Sequence, residues 1–132
     1  MEKAKILIVD DDLDFTDATK TILESHEYVV VTAPNKTEAM EKVRADKPDL
    51  ILLDVMMIGG QDGFEMSREL KKDSQLRDIP VLMLTAVKEK TGIGFKSVAG
   101  DIDWLPVEGF MDKPVDPQKL QAEIERLLSK KS

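Results

Sequence analysis

Two segments of this chain share one short pattern, and that pattern limits the folds open to it. Lys5-Ile-Leu-Ile-Val-Asp10 and Asp49-Leu-Ile-Leu-Leu-Asp54 are apolar runs that stop at an acid. Tyr28-Val-Val-Val-Thr-Ala33, halted by Pro34, and Pro80-Val-Leu-Met-Leu-Thr85 are similar runs, and Gly109-Phe-Met-Asp-Lys-Pro114 is a weaker fifth. Continuous rather than alternating apolar runs suit strands covered on both faces, which is the mark of a parallel sheet.

Helical periodicity fills the gaps. Residues 13–26 place Phe15, Ala18, Ile22 and Leu23 on one face, and 36–46 do so with Ala39, Met40 and Val43. Asn35 followed by Glu38 predicts a capping box for the second of these. Residues 63–73 carry Phe64, Ser67 and Leu70. Asp116 then predicts an N-cap with Pro117 at the first helical position, before a stripe of Leu120, Ile124, Leu127 and Leu128. Segment 86–108 holds Gly92, Gly94, Gly100 and an irregular apolar set including Trp104; a short helix is expected there. Strands alternating with helices predict an α/β, doubly wound, five-stranded parallel sheet with helices on both faces. One domain over 1–132, with its core at about 4–129, accounts for the 132 residues.

Composition removes several chemistries. There is no cysteine, hence no disulfide, thiolate–zinc site, iron–sulfur cluster or thiol nucleophile. His26 is the one histidine, which excludes a multi-histidine metal site. With 26 acidic against 19 basic residues and a net charge of −7, direct nucleic-acid binding is not expected. The first apolar run is too short for a signal-peptide core. The longest, Leu50 to Ile58, is broken by Asp54 and reaches about half a membrane span. A cytoplasmic protein without membrane contact is expected.

In doubly wound sheets ligands bind at the carboxyl ends of the strands. Here those ends carry Asp10-Asp11-Asp12, Asp54, Thr85 and Lys113, while the second strand ends in Ala33 with no functional group. If the strand order is 2-1-3-4-5, the four bearing strands are contiguous. Converging carboxylates repel unless a cation joins them. An all-oxygen donor set favours Mg²⁺ over a transition metal. Carboxylates, a hard cation, an ammonium and a hydroxyl together suit a phosphoryl group, and one carboxylate can itself become an aspartyl phosphate.

Ile-Leu-Ile-Val-Asp10-Asp11, Leu-Leu-Asp54-Val-Met-Met, Leu-Thr85-Ala86 and Asp-Lys113-Pro114 together resemble the receiver domain of two-component response regulators (CheY-like), over nearly the whole chain. The resemblance implies the flavodoxin-like order 2-1-3-4-5 and a phosphorylation switch rather than a turnover enzyme. It implies that Asp54 accepts a phosphoryl group from a histidine kinase or phosphotransfer protein. Asp11, Asp54 and the Met56 backbone carbonyl would ligate Mg²⁺, with Asp10 acting largely through water. Thr85 and Lys113 would hold the phosphoryl oxygens, and Ala86 would leave them room. Thr85 and Phe110 would carry the switch to a face formed by the 86–108 helix, the fifth strand and the last helix. Met56 and Val87 occupy positions that tune hydrolysis; both are apolar, which predicts a long-lived phosphoryl state. The receiver would catalyse only its own phosphorylation and dephosphorylation. Its output, an unknown protein or an effector domain, and dimerisation on phosphorylation are left open.

Two departures stand out. No proline follows Met57, and Ile58-Gly59-Gly60-Gln61-Asp62-Gly63 makes a longer loop than the family's pattern. The stretch from Thr85 to Lys113 is also longer, around Asp101, Asp103 and Trp104. Three rival readings remain. A haloacid-dehalogenase-type phosphatase would use Asp10, Asp12, Thr85 and Lys113 but leaves Asp54 without a role. A pseudo-receiver would keep the fold without the chemistry. The chain would also fit as one domain of a larger regulator.

Overall fold

A computed structural model of the chain describes residues 4–54, 62–85, 109–112 and 116–131. Five strands are present among them: β1 (Lys5–Val9), β2 (Val29–Ala33), β3 (Leu50–Asp54), β4 (Val81–Thr85) and β5 (Gly109–Asp112). The described helices are α1 (Leu13–Ser25), α2 (Lys36–Ala45), α3 (Asp62–Lys72) and α4 (Pro117–Lys131). The expected helix within 86–108 lies outside the described residues, as do Trp104 and the Ile58–Gln61 loop. Every strand pair is parallel, and the strands lie side by side as β2-β1-β3-β4-β5.

The sheet is buried on both faces, as its uninterrupted apolar runs require. Alternate residues point to opposite sides. Leu7, Val9, Ile51, Leu53, Val81 and Met83 pack with Ala39, Met40 and Val43 of α2 and Met66 and Leu70 of α3. Ile6, Ile8, Leu50, Leu52, Leu82 and Leu84 pack with Leu23 of α1 and Leu120, Ile124 and Leu127 of α4. Each of the larger side chains, Ala39 excepted, contributes about 1.5–3 kcal/mol of transfer free energy.

Caps set the helix boundaries. Asn35 Oδ1 accepts from the Glu38 N–H at 2.9 Å, starting α2. The return arm differs from a standard capping box: the Asn35 side-chain amide donates to the Glu38 carboxylate. Asp116 Oδ1 accepts from the Gln118 N–H at 2.8 Å, and Pro117 opens α4. At the other end of α1, Glu27 N–H meets Glu24 O and Tyr28 N–H meets Leu23 O. This paired closure needs a left-handed residue between them, and Glu27 supplies it at φ 73°.

The α1 stripe differs from the one expected. Its buried residues are Thr16, Thr19 and Leu23; Phe15 and Ile22 are half-buried and Ala18 is exposed. The buried stripe of the helix thus runs through a threonine pair rather than through Ala18, while Phe15 still packs against the core beside Leu23. In α3, Ser67 and Leu70 are buried, joined by Met66; Phe64 lies outside the described side chains.

Candidate functional site

The C-terminal ends of β1 and β3 are held level by their pairing. Val9 lies opposite Leu53, so Asp10 and Asp54 follow at the same height. Their parity along the strands matches Ile6 and Ile8 and Leu50 and Leu52, so both belong to the face covered by α1 and α4. Asp10 and Asp54 are 1% and 3% exposed. With half-buried Asp11 they bring three carboxylates together, each offering an oxygen within 4.8 Å of the others. Two unit charges about 5 Å apart repel by roughly 3 kcal/mol at a permittivity typical of protein sites.

Asp10 has a second task. Its N–H donates to Ala33 O at 3.1 Å, which extends the β1–β2 ladder by one step. Its Oδ1 accepts from the Asp12 N–H at 2.9 Å, an Asx turn that bends the chain out of the sheet. Asp12 Oδ1 then accepts from the Phe15 N–H at 3.1 Å and begins α1. Asp12 and Asp14 are exposed helix-start acids. Sequence reasoning misses this local role of Asp10, though an Asp two residues before a helix N-cap is the available signal.

The remaining expected residues are placed unevenly. The Thr85 backbone closes β4 one step beyond the level of Asp54, since Asp54 lies opposite Leu84. Phe110 has its backbone in β5, opposite Met83. Met56, Ala86, Val87 and Lys113 lie outside the described residues. His26 is the exposed C-cap of α1, away from the acidic cluster in sequence and fold. Among the described residues no helix is long and apolar enough to cross a membrane.

Comparison with known proteins follows the same lines. The family model for the response regulator receiver domain matches residues 6–125. The chain is 36% identical over 124 residues to the alkaline phosphatase synthesis transcriptional regulatory protein PhoP of Bacillus subtilis, covering 94% of this chain and 48% of that protein. It is 33% identical to protein PilH of Pseudomonas aeruginosa, covering 96% and 98%. The chain thus spans about half the length of the PhoP-type relatives and nearly all of PilH. Among solved structures, a CheY-like receiver domain protein from Methanospirillum hungatei superposes with a TM-score of 0.83 at 25% identity, covering 98% of this chain and 97% of that one. A flavodoxin-like parallel sheet, an acidic cluster at its carboxyl edge and a family match over residues 6–125 agree: the chain belongs to the response regulator receiver domains of two-component systems.

Proposed function

We propose that this receiver is a phosphorylation switch with Asp54 as the acceptor. The observation that carries the reading is the meeting of Asp54 with Asp10 and Asp11 at the carboxyl edge. A histidine kinase or phosphotransfer protein would present a phosphohistidine. An Asp54 carboxylate oxygen attacks phosphorus, the O–P bond forms as the P–N bond breaks, and the electron pair leaves with the imidazole. Later hydrolysis returns the free carboxylate and inorganic phosphate. The chain would perform this chemistry on itself alone and would turn over no separate substrate.

The donor set fits Mg²⁺. Two oxygens bound directly to one Mg²⁺ lie at most about 4.2 Å apart, twice the metal–oxygen distance. Oxygens gathered within 4.8 Å of one another are close to that span, and in this reading Asp11 and Asp54 would hold the ion directly while Asp10 would act through water. When bound, the ion would neutralise the carboxylates and the entering phosphoryl oxygens. The Met56 carbonyl completes the protein ligands in this reading, Thr85 donates its hydroxyl to a phosphoryl oxygen, and Lys113 pairs with another. Met56 and Val87, being apolar, slow the approach of water and lengthen the phosphoryl lifetime. Thr85 and Phe110 relay the modification to the face of β5 and α4. The protein would act in the cytoplasm. PhoP is named a transcriptional regulatory protein, which supports a gene-regulatory effector as one output; near-complete coverage of PilH supports a separate partner protein as the other.

Asp54 in the cluster also weighs against the phosphatase alternative, which gives that residue no part. Incubation with acetyl phosphate and Mg²⁺ tests the reading. Wild type takes one phosphoryl equivalent and Asp54→Asn takes none. Undiminished labelling of Asp54→Asn, or turnover of simple phosphate esters, would overturn it.

A further inference from the structure

A cleft lies between the last turn of α2 and the sheet, on the face that α2 and α3 cover rather than the face of the acidic cluster. Leu7 of β1 and Val31 of β2 are register partners, so their side chains stand side by side and form its floor. Lys42, Ala45 and the C-cap Asp46 follow at helical spacing and form its wall, and buried Pro48 completes the lining. The cleft holds about 190 Å³ and is open to solvent. It is left by Ala45, which stands where a larger side chain would reach the floor. A cavity of about 150 Å³ admits a benzene-sized ring, so this one has room for a ring and a short arm.

Two ammoniums border the cleft, and they are partnered differently. Lys5 Nζ pairs with the exposed Asp46 carboxylate, so its charge is met. Lys42 Nζ donates to the backbone carbonyl of Thr32 and pairs with no carboxylate among the described residues. An ammonium carries three donors. The Thr32 carbonyl takes one and pins the head at the rim, which leaves two for a ligand. With Lys5, Lys42 and Asp46 as its charged lining, the cleft has one positive charge in excess. The carbonyl end of α2 disfavours an anion beside Asp46, so an anion belongs at Lys42, one helical turn earlier.

We infer that this cleft is a binding site for a small monocarboxylate whose apolar body is about the size of one ring. The body lies on Leu7 and Val31 against Ala45, and the carboxylate accepts hydrogen bonds from the two remaining donors of Lys42. An amine of the same shape would meet two ammoniums and one carboxylate. Inorganic phosphate would leave the apolar floor uncovered. The site shares no residue with the acidic cluster, so the inference does not depend on phosphorylation of Asp54.

The test uses the unphosphorylated full chain, with phenylacetate as the probe and amide and methyl NMR shifts as the readout. Saturable shifts are expected at Leu7, Val31 and Ala45, with a Kd of about 1 mM. Benzylamine, the same ring with the opposite charge, should bind roughly tenfold or more weakly. Lys42→Met keeps the stem and removes the donors, and should weaken phenylacetate about tenfold. Ala45→Leu fills the cleft and should abolish the shifts at Leu7 and Val31. Both positions are exposed, and circular dichroism checks the fold; if Lys42→Met is unfolded, Lys42→Gln carries the same comparison. Absence of saturation at about thirty times the expected Kd overturns the proposal. Equal binding of benzylamine does so too, as does a folded Lys42 or Ala45 variant that binds phenylacetate as wild type does.

Discussion

At the carboxyl edge of the sheet three carboxylates face one another; between α2 and α3 two carboxylates face one ammonium. Lys36 Nζ lies 3.6 Å from Glu65 and also pairs with Glu69. The hydrogen bond to Glu69 raises the Lys36 pKa above its ordinary value, against a smaller opposing effect of burial. This second cluster tethers two helices and opposes nothing. The first sets like charges beside one another, two of them on nearly buried residues, and their mutual repulsion is a cost that other groups or a cation must offset. In the one cluster the acids meet across a base that joins two helices; in the other they are brought to one another by strand register.

Three measurements can break or sharpen that contrast. The largest effect is expected at Asp54. In a chelator, Asp54→Asn should raise unfolding free energy by about 1–2 kcal/mol, because it removes one charge from the cluster. Mg²⁺ should then raise the melting temperature of wild type and leave Asp54→Asn nearly unmoved. A variant less stable than wild type in chelator would make the cluster structural and erase the contrast.

A buried polar group with neither base nor cation gives the intermediate case. Thr16 Oγ1 is buried and has no hydrogen-bond partner among the described residues. Thr16→Val keeps the shape and removes the hydroxyl, so it should stabilise by about 1 kcal/mol in urea titration. A loss of stability would show that the hydroxyl is satisfied in solution.

The smallest effect belongs to the ion pairs. Lys36→Met should cost about 0.2–1 kcal/mol at neutral pH, and less in high salt. Because the folded pKa of Lys36 is raised, its contribution is complete below pH 10.5 and fades as pH rises through the higher folded value. Wild type and variant should therefore converge in alkaline urea titrations. A gap that stays constant with pH would assign the effect to the lysine stem.

Much of this is legible in the amino-acid sequence. Asp10 and Asp54 can be paired because each terminates an apolar run, and a run buried on both faces can end only at the sheet's edge. Asn35, Asp116 and Pro117 announce their helices because capping is a local hydrogen-bonding problem. The buried stripe of α1 is not legible by hydrophobicity, which ranks Thr16 and Thr19 as polar and Ala18 as apolar. The spacing of Thr16, Thr19 and Leu23 is itself helical and is the signal that reveals the stripe. The apolar residues of 86–108 are irregularly spaced, so the sequence supports there only the expectation of a short helix without a defined face.

The level pairing of Val9 with Leu53 acts as a reading frame for the site. Deleting one residue within Leu50–Leu53 would leave a strand still composed of apolar residues and still able to pair. It would, however, turn Asp54 to the opposite face, away from Asp10. Such a lesion would erase the chemistry while leaving most of the sheet's hydrophobic content in place. Single-residue length changes in β1 and β3 are therefore constrained by the carboxylates at their ends more tightly than by the core they run through.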